Sequence, residues 1–232
     1  MIGHINDIEV PTQYRSLFDR YYRTIPPPEA WGKIIAYRDP DYSYSLYRAQ
    51  PDEDDVVLDV GCGCCYFLNV LAQYAGEVHG IDWLHSYAEW CVVPWLDTMR
   101  EYKDFQDGKI NFIDGNAAVL PFGDNSLDKI YSISALEHFL DDDDILCVQE
   151  IRRILKPGGI FIGTVDYNPI TEQPLGAESS CRAYTYDSFI ERIIKPSGLL
   201  LIGDDYVSDF CIPAEVEYIV APLFFHLRKA EQ

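Results

Sequence analysis

The chain is poor in positive charge. Its 18 lysines and arginines stand against 38 acids, a net charge of −20 over 232 residues. A protein that tracks a phosphate backbone needs a basic face to displace counterions, so no nucleic-acid partner is expected. Long apolar runs are missing too. None approaches the about 18 residues that span a bilayer, so no membrane partner is expected. Met1-Ile2-Gly3-His4-Ile5-Asn6-Asp7 lacks the basic and apolar regions of a secretory leader, and the expected location is the cytoplasm. The cysteines number an odd seven, with no second C-x-x-C or His cluster to complete a metal set. Reduced thiols and no metal are expected. Cys62, Cys64 and Cys65 crowd one turn and read as small apolar filling. Repeats and low-complexity tracts are absent.

What is present suits one α/β domain with an extension. Apolar residues make up 48% of the chain, enough to bury a core. Residues 1–50 differ from the rest. They carry six bases and six acids, so the whole −20 lies in 51–232, and they hold seven of the 17 tyrosines. They read as an N-terminal cap with a short helix around 12–22, broken at Pro26-Pro27-Pro28.

From residue 51 strands and helices alternate, the pattern of a parallel sheet. Strands are expected at 55–60, 77–81, 110–114, 127–133, 160–165 and 199–204, with a last one inside 218–228. Helices are expected at 64–75, 84–103 (kinked at Pro94), 142–155 and 185–195. Lys156-Pro157-Gly158-Gly159 is expected to be a turn, and 166–183 an irregular polar stretch. The acids Asp141–Asp144 sit at a helix start, where carboxylates are favoured.

The most informative segment is Val56-Val57-Leu58-Asp59-Val60-Gly61-Cys62-Gly63. An apolar strand runs into two glycines and then a helix. That arrangement lets backbone approach a ligand at the carboxyl end of a first strand, beside helix N–H groups. A dinucleotide fingerprint needs a third glycine where this chain has Tyr66, so a nicotinamide-dependent oxidoreductase is disfavoured. Asp82 ends the second strand, where an α/β nucleotide site places an acid on the ribose hydroxyls, although a lone acid there can also cap a helix. Trp83 would then lie along the adenine.

The D-x-G-x-G of Asp59, Gly61 and Gly63 resembles motif I of the class I S-adenosylmethionine (SAM)-dependent methyltransferases. Three further segments carry the resemblance. They are Val78–Trp83; Phe112–Phe122 with its Leu120-Pro121-Phe122 turn; and Asp128–Phe139 followed by Glu150–Gly159. Together they resemble the small-molecule branch, often called type 11, over about residues 52–165. The resemblance implies a Rossmann-like, doubly wound, mostly parallel seven-stranded sheet and SAM as cofactor. It implies a cofactor site of Asp59, Gly61, Cys62, Gly63, Asp82, Trp83, Asn116, Ala117 and Ser134. Asn116 falls where the family often has an acid facing the adenine amino group, with Asp114 as the alternative. Ser134 falls beside the methionine end, and Glu137 and His138 where a methyl acceptor enters. The family often has a glycine where this chain has Cys65.

His138 titrates in the right range for a general base, and a helix-start histidine bonded to backbone is the other reading. Tyr37 and Tyr42 are expected to line an acceptor pocket formed by residues 12–48. An aromatic or anionic small molecule is expected as acceptor. Two other functions fit the same residues: another transfer from SAM or its decarboxylated form, and a non-catalytic SAM-binding subunit.

Overall fold

The structure, a computed structural model, describes residues 3–4, 10–14, 39–63, 67–83, 109–168, 173–174, 181–203, 206–207 and 221–231. Tyr37, Cys64, Cys65, Tyr66 and the helix expected at 84–103 lie outside the described residues.

Six strands carry the sheet: β1 Val56–Val60, β2 Glu77–Asp82, β3 Ile110–Asp114, β4 Leu127–Ile133, β5 Leu155–Tyr167 and β6 Ala221–Arg228. Their order is β3-β2-β1-β4-β5-β6. The first five run parallel, and β6 returns antiparallel to β5. Beyond β6, Leu200–Leu201 and Tyr206–Val207 both pair with it antiparallel and share the seventh strand position. Gly3–His4 adds to Tyr206–Val207 at the edge. This is the expected mostly parallel, doubly wound sheet.

The strands of the parallel core are apolar on both sides because both faces are covered. Val57 joins one buried cluster and its neighbours Leu58 and Val60 join the other. The first cluster lies under helices α1, Asp39–Ala49, and α2, Phe67–Leu71. The second lies under α3, Asp143–Ile154, and a helical stretch running from Tyr186 to Ser197. Every residue of α1 from Asp41 to Leu46 is buried. The sheet takes one side, with Tyr44 edge-on to Phe224. Tyr14 packs from elsewhere, against Tyr47.

Two expected boundaries move. Lys156-Pro157-Gly158-Gly159 does not precede the strand but lies within it. Leu127 pairs with Leu155, yet Lys129 pairs with Ile160, so β5 carries three extra residues as a bulge. Gly158 takes φ +78°, and a Cβ on Gly159 would stand 3.0 Å from the Asp128 carbonyl oxygen. Glycines here bend a strand that stays paired on both sides of the bend. The last helix runs past Pro196, which was expected outside it. The turn before it is wound wide, with the Lys195 N–H donating five residues back to the Ile190 carbonyl. That winding relieves the clash a proline makes inside an ordinary α-helix. Gly198, left-handed at φ +55°, then ends the helix.

Candidate cofactor site

The β1 turn is built from backbone. The Gly61 and Cys62 N–H groups both donate to the Ile81 carbonyl, at 2.8 and 3.2 Å. Gly61 takes φ +73° and Gly63 φ +49°. The two glycines do different work. A Cβ on Gly61 would fall 2.2 Å from the Ala135 Cβ, so Gly61 exists to let the turn after β4 close on β1. A Cβ on Gly63 would meet nothing within 4 Å among the described residues. Among them, Gly63 is the glycine of this turn that faces open space. Between them the Cys62 side chain turns into the core, where a Cβ on Gly80 would lie 2.8 Å from its Sγ.

Asp82 closes the turn from β2. Its Oδ2 accepts the Gly63 N–H at 2.8 Å and its Oδ1 accepts the Trp83 N–H at 2.7 Å. Trp83 is 41% exposed beside it. Asp59 is only 2% exposed, and burial, helped by the Asp82 charge, holds its carboxyl well above the ordinary carboxylate range. It acts from beneath the turn. Asp114 ends β3 directly opposite Asp82. Asn116 bridges the next turn: its Oδ1 accepts the Ala118 N–H at 2.7 Å and its Nδ2 donates to Asp143 at 3.3 Å. Ala117 packs into the core below.

On the other side of β1, β4 ends in Ser134, a non-glycine residue at φ +50°. Its N–H is shared between the Thr164 carbonyl at 3.0 Å and the Thr164 Oγ1 at 3.2 Å. Its Oγ donates to Glu137 Oε1 at 2.6 Å. Glu137 is wholly buried, so its first task is to hold that hydroxyl. His138, the last residue of the single turn Leu136–His138, is exposed, with Nε2 4.0 Å from Cys181 Sγ.

The strand ends therefore bring Asp59, Gly61, Gly63, Asp82, Trp83 and Ser134 along one edge of adjacent strands β2, β1 and β4. Tyr42 does not join them. Its ring is 6% exposed and stacks on Phe67 at 5.2 Å, so it packs the core and does not line a pocket. The side chain of α1 that does reach the site is Asp41, whose Oδ2 accepts the Thr164 hydroxyl at 3.3 Å. Sequence reasoning missed both, because nothing in the pattern marks a strand threonine or a helix-start aspartate as a buried pair.

It also missed Asp144. Among Asp141–Asp144 this carboxylate alone is buried. It takes Arg192 at 2.7 Å and Arg182 at 3.5 Å, and it accepts the Tyr184 hydroxyl at 2.7 Å. Tyr184 also reaches the Leu136 carbonyl, and Arg182 the carbonyls of Phe139 and Asp141. The turn that carries Glu137 and His138 is thus held from behind. Among the described residues no cluster of His, Cys, Asp or Glu is arranged to hold a metal, and no helix is long and apolar enough to cross a membrane.

Comparison with known proteins agrees with this geometry. Residues 58–163, a little under half the chain, match the family described as a methyltransferase domain. Sterol 24-C-methyltransferase ERG6B of Gibberella zeae is 36% identical over 106 residues, covering 45% of this chain and 26% of that protein. O-methyltransferase cnsE of Penicillium expansum is 30% identical over 131 residues, covering 55% and 45%. The chain thus spans less than half the length of these relatives. A solved SAM-dependent methyltransferase from Methanosarcina mazei superposes with a TM-score of 0.63 at 18% identity, covering 82% of this chain and 99% of that one. Residues 58–163 are thus similar to a methyltransferase domain, and the fold resembles that of solved SAM-dependent methyltransferases.

Proposed function

We propose that the chain is an enzyme that moves a methyl group from SAM to a small-molecule acceptor. The observation that carries this is the β1 turn: Gly63 faces open space while its N–H is fixed to Asp82. That is a cradle for an adenosine-type ligand with a ribose acceptor at its rim. Asp82, at the rim of the turn, would meet the ribose hydroxyls, exposed Trp83 would cover the adenine, and Asn116 or Asp114 would meet the adenine amino group. Bound SAM supplies a methyl group already activated on a sulfonium sulfur.

The chain's own residues then have to position rather than activate. Ser134, held in a left-handed turn with its hydroxyl donated to Glu137, would lie beside the end of the ligand that crosses β4. With SAM held there, an acceptor lone pair would take the methyl carbon while the carbon–sulfur electron pair returned to sulfur. Where the acceptor atom carries a proton, exposed His138 would remove it. Asp144, through Arg182 and Tyr184, keeps the His138 turn in register.

The relatives act, by their names, on carbon of a sterol and on oxygen. What they share with this chain is the matched domain. Of the N-terminal cap, we read α1, Asp39–Ala49, as part of one wall of the acceptor pocket, supported by the contact of Asp41 with Thr164. The net charge of −20 supports a small-molecule partner over nucleic acid. Among the described residues Cys62, Cys147 and Cys181 form no disulfide, and a reducing compartment, the cytoplasm, suits them. Incubation of a metabolite library with methyl-labelled SAM tests the proposal: label should pass to a small molecule in the presence of the intact protein. Label that never leaves SAM with any acceptor class would count against an enzyme and for a binding subunit.

A further inference from the structure

We propose that Thr164 is a positioning residue that fixes Ser134 for the methionine end of the cofactor and couples that end to helix α1. The proposal rests on the methyltransferase reading above. Thr164 sits in β5, wholly buried, on the sheet face that α1 covers. A valine would fill the same shape, so packing alone does not call for a hydroxyl. A hydroxyl has one proton to give and lone pairs to accept with. Here the proton goes to Asp41 Oδ2 on α1, at 3.3 Å. The oxygen accepts the Ser134 N–H at 3.2 Å, in parallel with the Thr164 carbonyl at 3.0 Å.

Ser134 needs such a hold. A non-glycine residue at φ +50° persists only where its surroundings determine it. Next to it, Ala135 is pressed against Gly61 so closely that no Cβ fits between. The Ser134-Ala135 turn is therefore clamped between β1 on one side and Thr164 on the other. In that clamped state the Ser134 hydroxyl is directed to Glu137 Oε1 at 2.6 Å.

Topology says which end of the ligand is involved. β1 lies between β2 and β4. A ligand whose ribose meets Asp82 on β2, and which crosses the β1 turn, carries its far end over β4. For SAM that far end is the amino acid. The hydroxyl of Thr164 therefore governs the amino-acid end and leaves the adenosine end alone. A Thr164 that merely satisfied the buried Asp41 carboxylate would affect both ends alike.

Calorimetric titration separates these. S-adenosylhomocysteine carries both ends, and 5′-methylthioadenosine carries the adenosine end alone. Thr164→Val should weaken S-adenosylhomocysteine binding about tenfold, the loss of one buried hydrogen bond's influence, while 5′-methylthioadenosine stays within about twofold of wild type. Thr164→Ser, which keeps the hydroxyl, should restore the first ligand. Thr164→Ala carries the same expectation as Thr164→Val and serves if the valine variant does not fold. Equal weakening of both ligands, no weakening of S-adenosylhomocysteine, or a serine variant as poor as the valine would each overturn the proposal. A wild-type protein that binds neither ligand would instead remove the methyltransferase reading, and this proposal with it.

Discussion

Asp82 Oδ2 holds the Gly63 amide at 2.8 Å across 19 residues of sequence. The acid at the end of β2 thus shapes the β1 turn before any ligand arrives. Removing it should damage both the turn and the ligand contacts. Asp82→Ala should weaken SAM binding by about 1–3 kcal/mol, the range for hydrogen bonds to a charged group. Asp82→Asn should lose less, since its carbonyl can still take the Gly63 N–H. Calorimetry on both variants checks this, and unchanged affinity in the alanine variant would take Asp82 out of the ribose role.

The two glycines of the turn should fail differently. Gly61→Ala puts a methyl group 2.2 Å from the Ala135 Cβ on a backbone already at φ +73°. Left-handed strain of about 1–2 kcal/mol then adds to a clash that only movement of the β4 turn can relieve. Thermal unfolding should show a large drop in Tm. Gly63→Ala meets only the strain, because nothing lies within 4 Å. Its Tm should fall little while SAM affinity falls markedly. The reverse order of Tm loss would contradict these assignments.

Much of this was legible in the sequence, and the reasons are local. The strands β1 to β3 announce themselves as short apolar runs closed by glycine or acid, and alternating connections imply their parallel pairing. That Gly61, Gly63 and Asp82 meet at one edge was legible because they sit at or just beyond strand ends. What was hidden depends on tertiary contact. Gly158-Gly159 looks like a turn, since one strand alone cannot show that β4 pairs with it on either side of a bulge. Pro196 looks like a helix end, since a wide turn upstream has no local signature. Asp144 is chemically identical to Asp141–Asp143, and only burial against Arg182 and Arg192 separates them. Tyr42 looked like a pocket residue because cap tyrosines are alike until one is found stacked on Phe67.

Asp144 should matter more than its neighbours. Asp144→Ala leaves Arg182 and Arg192 without their shared carboxylate and moves the Tyr184 hydroxyl onto its longer bond to the Leu136 carbonyl. Breaking a buried ion pair from one side typically costs about 3–5 kcal/mol, and the partial exposure of both arginines puts the expectation at the low end. Asp142→Ala, at an exposed acid that meets Arg192 alone, should change stability by under about 1 kcal/mol. Chemical denaturation of the two variants should separate them clearly. Similar losses would mean that the buried network does not anchor the His138 turn.

Acid should destabilise the fold through His226. Burial, reinforced by the charges of Arg48 and Arg228, pulls its pKa down to about 4. The folded protein therefore keeps the ring neutral while the unfolded chain takes up a proton below about 6.5. Stability from this group is present above 6.5 and is lost as pH falls toward 4. His226→Leu should flatten that part of the stability–pH curve. Asp59 works with the opposite sign: its raised folded pKa favours the fold in acid, and that contribution disappears as pH rises through the raised value. Asp59→Asn should then gain stability, relative to wild type, at neutral pH and not in acid. Denaturant midpoints across the acid-to-neutral range check both signs.

The central claim is that the edge formed by the ends of β2, β1 and β4 binds SAM. Calorimetric titration of the intact protein with SAM, S-adenosylhomocysteine and NAD tests it directly. Saturable one-to-one binding of the first two and no binding of NAD is the expected result. NAD binding, or a folded protein that takes up neither SAM nor S-adenosylhomocysteine, would contradict it.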